Sequence, residues 1–534
     1  MPAHTHLAPA LREVVAELRA PPYLLGLEKE SLRIDCAGTV AMTPHPAALG
    51  AALTHPHITT DFSEALIELV TPPLPRIEDA LAFLGELHAL VVRHLDDERL
   101  WAASMPCVLR AGAHIPLARY GTSNAGRMKT VYRRGLGNRY GRVMQLIAGV
   151  HVNFSLSEEL WTALQIRLGI AAADARAFRD ARYMGMIRNL QRWGWLVPYL
   201  FGASPAVCKS FVQDATTDLH SFDDQTYYYP YATSLRMGDI GYQNRQEEGA
   251  GIKANYDSLD SYIRSLTWAI ETPCPHYEAI GVKVGDRYEQ LNDHILQIEN
   301  EYYSTVRPKQ PVEWMERPTL ALRRLGIRYV ELRSPDVNAY WPLGIDAEAL
   351  FFLTTLMLHA WAMPSPRIDP RERRAIDANQ SLAAHRGREP RLMLERDGRP
   401  WPLRDWANEL LDELLPLAAA LDQCVPAGAH SASVVAQRIK VMDPETTPAA
   451  RMLAEMRARG ECFAAFARRL SEQHHATHLR RELAPARTAW WQQVAEVSWT
   501  RQRDIEASDT LDFDTFLARY FAQQLTPPAA CHAP

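Results

Sequence analysis

Two glutamates, Glu28 and Glu30, stand two positions apart in "YLLGLEKESLR" (23–33), behind an apolar run that reads as the start of a strand. Residues two apart on a strand leave the same face, where like charges side by side are destabilising. Three further strand-like runs carry chemically capable residues at alternate positions. "GVHVNFSL" (149–156) puts His151 and Asn153 on one face and Val150, Val152 and Phe154 on the other. "RYVELRS" (328–334) puts Tyr329, Glu331 and Arg333 on one face with Val330 and Leu332 behind, and "DFSEALIELV" (61–70) supplies Asp61, Glu64 and Glu68 just ahead of a Pro-Pro break. If the apolar faces pack on helices, the polar faces converge on one concave surface. It would hold Glu28, Glu30, Asp61, Glu68 and Glu331 together with His151 and Arg333. Five carboxylates cannot be held ionised together without compensation. A hard divalent cation such as Mg²⁺, which shares oxygen ligands with substrate phosphates, is the usual compensation. Any one of these strands alone reads better as a solvated outer face; the four together point to metal.

Other chemistries find less support. "GTSNAGRMKT" (121–130) comes close to a phosphate-cradling loop, but Arg127 and Met128 stand where Lys and Ser/Thr are required. No G-x-G-x-x-G opens a βαβ unit, so a dinucleotide site is unsupported. The basic residues of "GRMKTVYRRGLGNRYGR" (126–142) fit polyphosphate binding and a charged helix surface equally. In "HHATH", His474 and His478 are spaced as on a zinc helix but lack the following Glu and a third ligand. A surface helix is the expectation there. Cys36, Cys107 and Cys208 show no reactive signature and read as small core or subsurface residues, and "FGASP" (201–205) reads as a turn.

The elements that must position these residues are mixed. Residues 8–19 read as an amphipathic helix ended by Pro21-Pro22, and up to about 155 short apolar runs alternate with helical patterns such as 77–95. Helical periods dominate from about 160 to 270, interrupted by "DDQTYYYPYATSLR" (223–236), which reads as a long functional loop. Strand-like runs return in "AIGVKV", "HILQIEN" and "GIRYVELRS", and from 346 onward the period is nearly all helical. Residues 364–405, dense in Arg and Pro, are the expected exposed loop, and "TPPAACHAP" a frayed tail. The run 349–363 is too short to span a bilayer and reads as a buried helix.

At 534 residues, 47 % apolar and 23 % charged, the composition is globular. A net charge of −5 gives no general attraction to nucleic acid or anionic lipid. Seven scattered cysteines without a C-x-x-C pair fit a reducing cytosol, and the amino terminus lacks the apolar core of a secretory signal.

Taken in order, "GLEKESLR", "ALTHPHITTDFSEALIELVTP", "YGTSNAGRMKTVYRRGLGNRYG", "GVHVNFSL", "PYLFGASPAVC", "YATSLRMGDIGY", "LQIENEYY" and "YVELRS" resemble the proteobacterial glutamate–cysteine ligases, from about residue 23 to 345 and more weakly beyond. The resemblance implies an α+β fold: a glutamine synthetase-like antiparallel sheet forming a funnel, wrapped by helices, within one catalytic domain spanning 1–534. Its core would be 1–345, with a helical part, 346–534, packed on it. It implies ATP- and Mg²⁺-dependent joining of the glutamate γ-carboxyl to the cysteine amine through a γ-glutamyl phosphate, with Mn²⁺ as a substitute ion. Carried over, the metal ligands fall on Glu28, Glu30, Asp61, Glu68, His151 and Glu331, and catalytic roles on Glu68 and Arg333. The cysteine pocket falls on Tyr132, Arg236, Tyr242 and Tyr303, and glutamate and phosphoryl contacts on Asn153 and Arg333. Gln297, Glu299 and Glu301 share a face and would shape the site. The resemblance also implies a cytoplasmic monomer, with glutathione as a candidate feedback inhibitor. A sister ligase using another amine, or a non-catalytic binder of glutamate or nucleotide, are the alternatives.

Overall fold

A computed structural model describes residues 7–109, 115–212, 217–241, 253–424 and 428–527. Its centre is a seven-stranded sheet built from β1 (Tyr23–Ile34), β2 (Ile58–Thr60), β3 (Leu66–Val70), β4 (Arg99–Leu100), β5 (Val150–Leu156), β6 (Val306–Lys309) and β7 (Tyr329–Leu332). The order is β6-β7-β5-β1-β3-β2, with β4 pairing the far end of β1, and each neighbouring pair runs antiparallel. Register decides the site. Glu28 pairs with His151, Glu30 with Glu68, Glu331 with Asn153 and Arg307 with Glu331, and residues paired across a ladder share a face.

The opposite face carries Leu25, Leu27, Ile67, Leu69, Val150, Val152, Phe154, Val330 and Leu332, all buried. Helices Ile77–Val92 and Ala175–Arg192 pack on strands of this sheet, and both contact helix Ala347–Ala362. That helix is buried from Ala349 to Ala362 because Leu403–Leu421 and Ala429–Met442 cover it from outside. A helix apolar on all sides belongs inside a protein, as its sequence indicated. One hydrophobic cluster consequently runs from Leu7 to Trp491. A second, smaller one joins helix Asn124–Tyr140 to the hairpin at 283–288 and helix Phe513–Phe521.

Several expectations are corrected. Residues 364–405 hold helix Pro370–Arg386, capped by Asp369, and a hairpin, Met393–Arg396 with Arg399–Pro402. The Asp-Pro start and the Asp397-Gly398 turn, both residues at positive φ, are the local signals. "HILQIEN" forms no strand and leads into the single turn Glu299–Glu301, while "AIGVKV" contributes only Lys283–Val284. The amino-terminal helix is Leu7–Glu17, and within 223–236 only Thr226–Tyr228 is regular. His474 and His478 do not lie on an outer face: His478 is buried and stacks on His88, and the two Nε2 atoms donate to the backbone carbonyls of Ala339 and Pro342 respectively. Cys107 and Cys208 are buried as expected, whereas Cys36 is exposed.

Candidate active site

On the polar face of the sheet the side chains meet around His151. Its Nδ1 lies 3.3 Å from Glu28 Oε2 and 3.5 Å from Glu331 Oε1, and its Nε2 lies 3.7 Å from Glu30 Oε1. Asn153 Nδ2 donates to Glu28 Oε1 at 2.8 Å, and the Gly149 N–H donates to Glu30 Oε2 at 2.7 Å. One ligand atom each from Glu28, His151 and Glu331 falls within 4.8 Å of the others, a spacing suited to a metal ion.

Charge is graded across this face. At the β6–β7 edge, Lys309 Nζ lies 3.0 Å from Glu331 Oε2 and Arg333 Nη1 donates to Glu331 Oε1 at 2.6 Å. Burial alone would raise the Glu331 carboxyl, but Arg333, Lys309, His151 and Arg307 outweigh it and hold it well below the usual carboxylate range. At the β1–β3 side the balance reverses. Burial raises Glu68 well above that range, and Glu28, Asp61 and Glu30 push it further; burial also raises Glu30. Asp61 pairs with Arg133 on helix Asn124–Tyr140, whose Nη2 lies 3.9 Å from Asp61 Oδ1. The donor set of carboxylates and one imidazole, short of positive charge on one side, fits a hard divalent ion.

Arg236, Tyr303 and Arg333 line one cavity of about 210 Å³. Tyr303 donates its hydroxyl to Gln145 Oε1 at 2.9 Å. Tyr132 does not line this cavity; it lies on the 124–140 helix, where its carbonyl accepts from Gln297 Nε2 at 3.3 Å. Tyr242 lies outside the described residues. Glu301 and Glu299 are buried in ion pairs, with Arg139 at 2.8 Å and Arg317 at 3.2 Å, and so brace the surrounding loop. Sequence reasoning missed Arg307 and Lys309. They share the polar face two positions apart in "VRPK", but Pro308 between them argued against a strand. The 124–140 helix starts at Ser123, whose hydroxyl accepts from Gly126 N, and a Cβ at Gly126 would stand 2.1 Å from the Tyr120 carbonyl. The near-miss phosphate loop is thus a capped helix start that needs its glycine for close approach.

A family model described as glutamate-cysteine ligase matches residues 16–383. The chain belongs to the glutamate–cysteine ligase family. A glutamate–cysteine ligase of Pseudomonas paraeruginosa is 47 % identical over 502 residues, 94 % of each chain, and one of Bordetella petrii is 45 % identical over 507 residues, 94 % of this chain and 95 % of that one. The crystal structure of a Francisella tularensis glutamate–cysteine ligase in complex with AMP superposes with a TM-score of 0.88 at 34 % identity, covering 95 % of this chain and 99 % of that one. A bifunctional glutathione synthetase from Pasteurella multocida gives 0.70 at 25 % identity, covering 92 % of this chain and 58 % of that one. The matches to glutamate–cysteine ligases cover 94–95 % of the chain and so include the helical carboxyl-terminal part, and the α+β fold with its antiparallel sheet is the family's.

Proposed function

We infer that this chain joins the γ-carboxyl of glutamate to the amine of cysteine with consumption of ATP, and that the polar face of the sheet is where it does so. Membership of the ligase family supports the reaction; the convergence of Glu28, Glu30, Glu68, His151 and Glu331 on one face is the observation that supports the place. A carboxylate does not acylate an amine at neutral pH, so ATP must first turn the γ-carboxyl into an acyl phosphate. Phosphoryl transfer asks little covalent help and much charge neutralisation and positioning.

Glu28, Glu30, Asp61, Glu68, His151 and Glu331 would hold Mg²⁺, or Mn²⁺ in its place, which when bound neutralises phosphate charge. Arg333 and Lys309 add fixed positive charge at the opposite edge, where a γ-phosphoryl group would be met. Asn153, bonded to Glu28, is placed to orient glutamate. The cavity bounded by Arg236 and Tyr303 would take cysteine. A carboxylate near the cysteine pocket would accept the proton that the attacking amine must lose. The enzyme would act in the cytoplasm as a monomer, with glutathione as inhibitor; no helix among the described residues is long and apolar enough to cross a membrane.

The test is phosphate release from ATP and Mg²⁺ with glutamate, with and without cysteine, alongside mass detection of the dipeptide. Cysteine-dependent release matched by γ-glutamylcysteine is expected. Release without that product would assign a different amine, and no release would overturn the reading.

A further inference from the structure

Arg236 is drawn as a cavity residue by the site above, yet it is only 2 % exposed and its guanidinium is engaged with the main chain. Nη2 donates to the Arg333 carbonyl at 2.7 Å, and Nη1 to the carbonyls of Ser334 and Pro335 at 3.2 and 3.3 Å. Three consecutive carbonyls thus converge on one planar fork, a geometry that the single nitrogen of lysine cannot match. The fork is packed tightly, for a Cβ at Gly149 would stand 2.1 Å from Nη2. Gly149 also donates to Glu30, and Val150 N donates to the same Pro335 carbonyl at 3.1 Å. The 333–335 backbone, the start of β5 and a carboxylate of the acidic face therefore meet at Arg236.

Behind the fork lies Asp336, its side chain wholly buried, with Oδ1 3.6 Å from Arg236 Nη1. Its other contacts are all donors from two distant loops: Ala203 N at 2.9 Å and Ser204 Oγ at 2.5 Å on Oδ2, and Ser234 Oγ at 3.0 Å on Oδ1. Ser204 belongs to "FGASP", which the sequence offers only as a turn, and Ser234 to "ATSLR", the stretch that bears Arg236 itself. A buried carboxylate with three such donors and a buried guanidinium is costly to assemble, and replacement of the set by apolar residues would serve packing as well. What it supplies is orientation.

We propose that Asp336 is a positioning residue of the ligase reaction: it touches no substrate, but through Arg236 it fixes the 333–335 backbone and so the aim of Arg333 and the shape of the cysteine cavity. The proposal rests on the ligase reading. Asp336→Asn isolates the interaction, because its carbonyl oxygen can still accept from Ala203 and Ser204 while its amide turns a donor toward Arg236. The expected result is a fall of about 10- to 100-fold in kcat with a several-fold rise in the cysteine KM, and an ATP KM within about twofold of the parent, the range in which orienting partners act. Arg236→Lys should reproduce that split, and adding Asp336→Asn to it should change kcat less than about twofold, since the two act as one unit. Effects that multiply, or parental kinetics from a folded Asp336→Asn, overturn the proposal. Should that variant fail to fold, Ser204→Ala with Ser234→Ala keeps the charge and removes two of its donors; a milder loss with the same split supports the proposal, and parental kinetics overturn it. A parent protein that makes no γ-glutamylcysteine overturns the ligase reading and the proposal together, whereas an active parent with uncoupled variants overturns the proposal alone.

Discussion

Glu30 and Glu68 face each other directly across β1 and β3, a like-charge pair that costs stability until a cation is shared between them. Glu68→Gln is therefore expected to raise the Tm of the metal-free protein, by up to about 1 kcal/mol in stability, while lowering turnover; thermal scans with EDTA set beside ligase rates check both halves. Glu28→Ala and Glu331→Ala should each reduce metal-dependent turnover by at least ~100-fold with an unchanged far-UV spectrum, and near-parental rates from either would remove it from the ligand set. Lys309→Met should cost at least ~10-fold in kcat, because Lys309 lies 3.0 Å from Glu331 at the edge where, in the proposed reaction, phosphoryl charge would develop. At this scale the sequence was legible wherever a ligand stood between two apolar residues, as His151 stands between Val150 and Val152. It was illegible at Lys309, where proline broke the strand pattern, and in the anchoring of Arg236, whose main-chain partners lie about a hundred residues away.

At the scale of elements, β1 is the strand on which both faces matter. Its polar side carries Glu28 and Glu30, while Lys29 between them points back among the helices, 3 % exposed, with the Ser31 hydroxyl as partner and no paired carboxylate among the described residues. Burial of an unpaired ammonium is expensive, so Lys29→Met should stabilise the fold by about 2 kcal/mol, read as an increased urea midpoint at unchanged slope. Buried histidines lie on a covering helix, at His430, and in the loop ahead of β2, at His55. Burial pushes His430 down to about 4 and His55 down to about 3. Because these values lie below those of the unfolded chain, the unfolded state binds more protons in between. Stability is therefore full above about pH 6.5 and falls as the pH drops toward 4, by about 1.4 kcal/mol per unit for each histidine. A Tm that stays flat from pH 7 to 4.5 would refute this, and His430→Gln should flatten the slope in part. The long helices and the central strands were readable because their apolar periods are strong. Short strands and the 370–402 segment were not, because tertiary pairing, not local pattern, makes them.

For the whole molecule, the helical third is part of the same core as the sheet. A chain ended at 345 would expose the apolar faces of helices 77–92 and 175–192 that helix 347–362 covers. It is expected to aggregate, and a soluble, cooperatively unfolding fragment would show instead that 1–345 folds alone. Adding Mg²⁺ at 100 times its Kd should stabilise the native chain by about 2.7 kcal/mol, if the unfolded chain does not bind it.

The small second cluster ties the beginning of the site to the end of the chain. Asn124 N donates to Asp509, Asn124 Nδ2 to the Leu511 carbonyl at 2.8 Å and Thr122 N to Glu506 at 2.8 Å, while Arg127 lies 4.2 Å over the Phe513 ring. The helix bearing Arg133 is thus completed by residues the ribosome adds roughly 20 to 80 s later. The strands that bear Glu28, Glu68, His151 and Glu331 are all synthesised before that pinning becomes possible, so closure of this side of the site waits on residues 506–513.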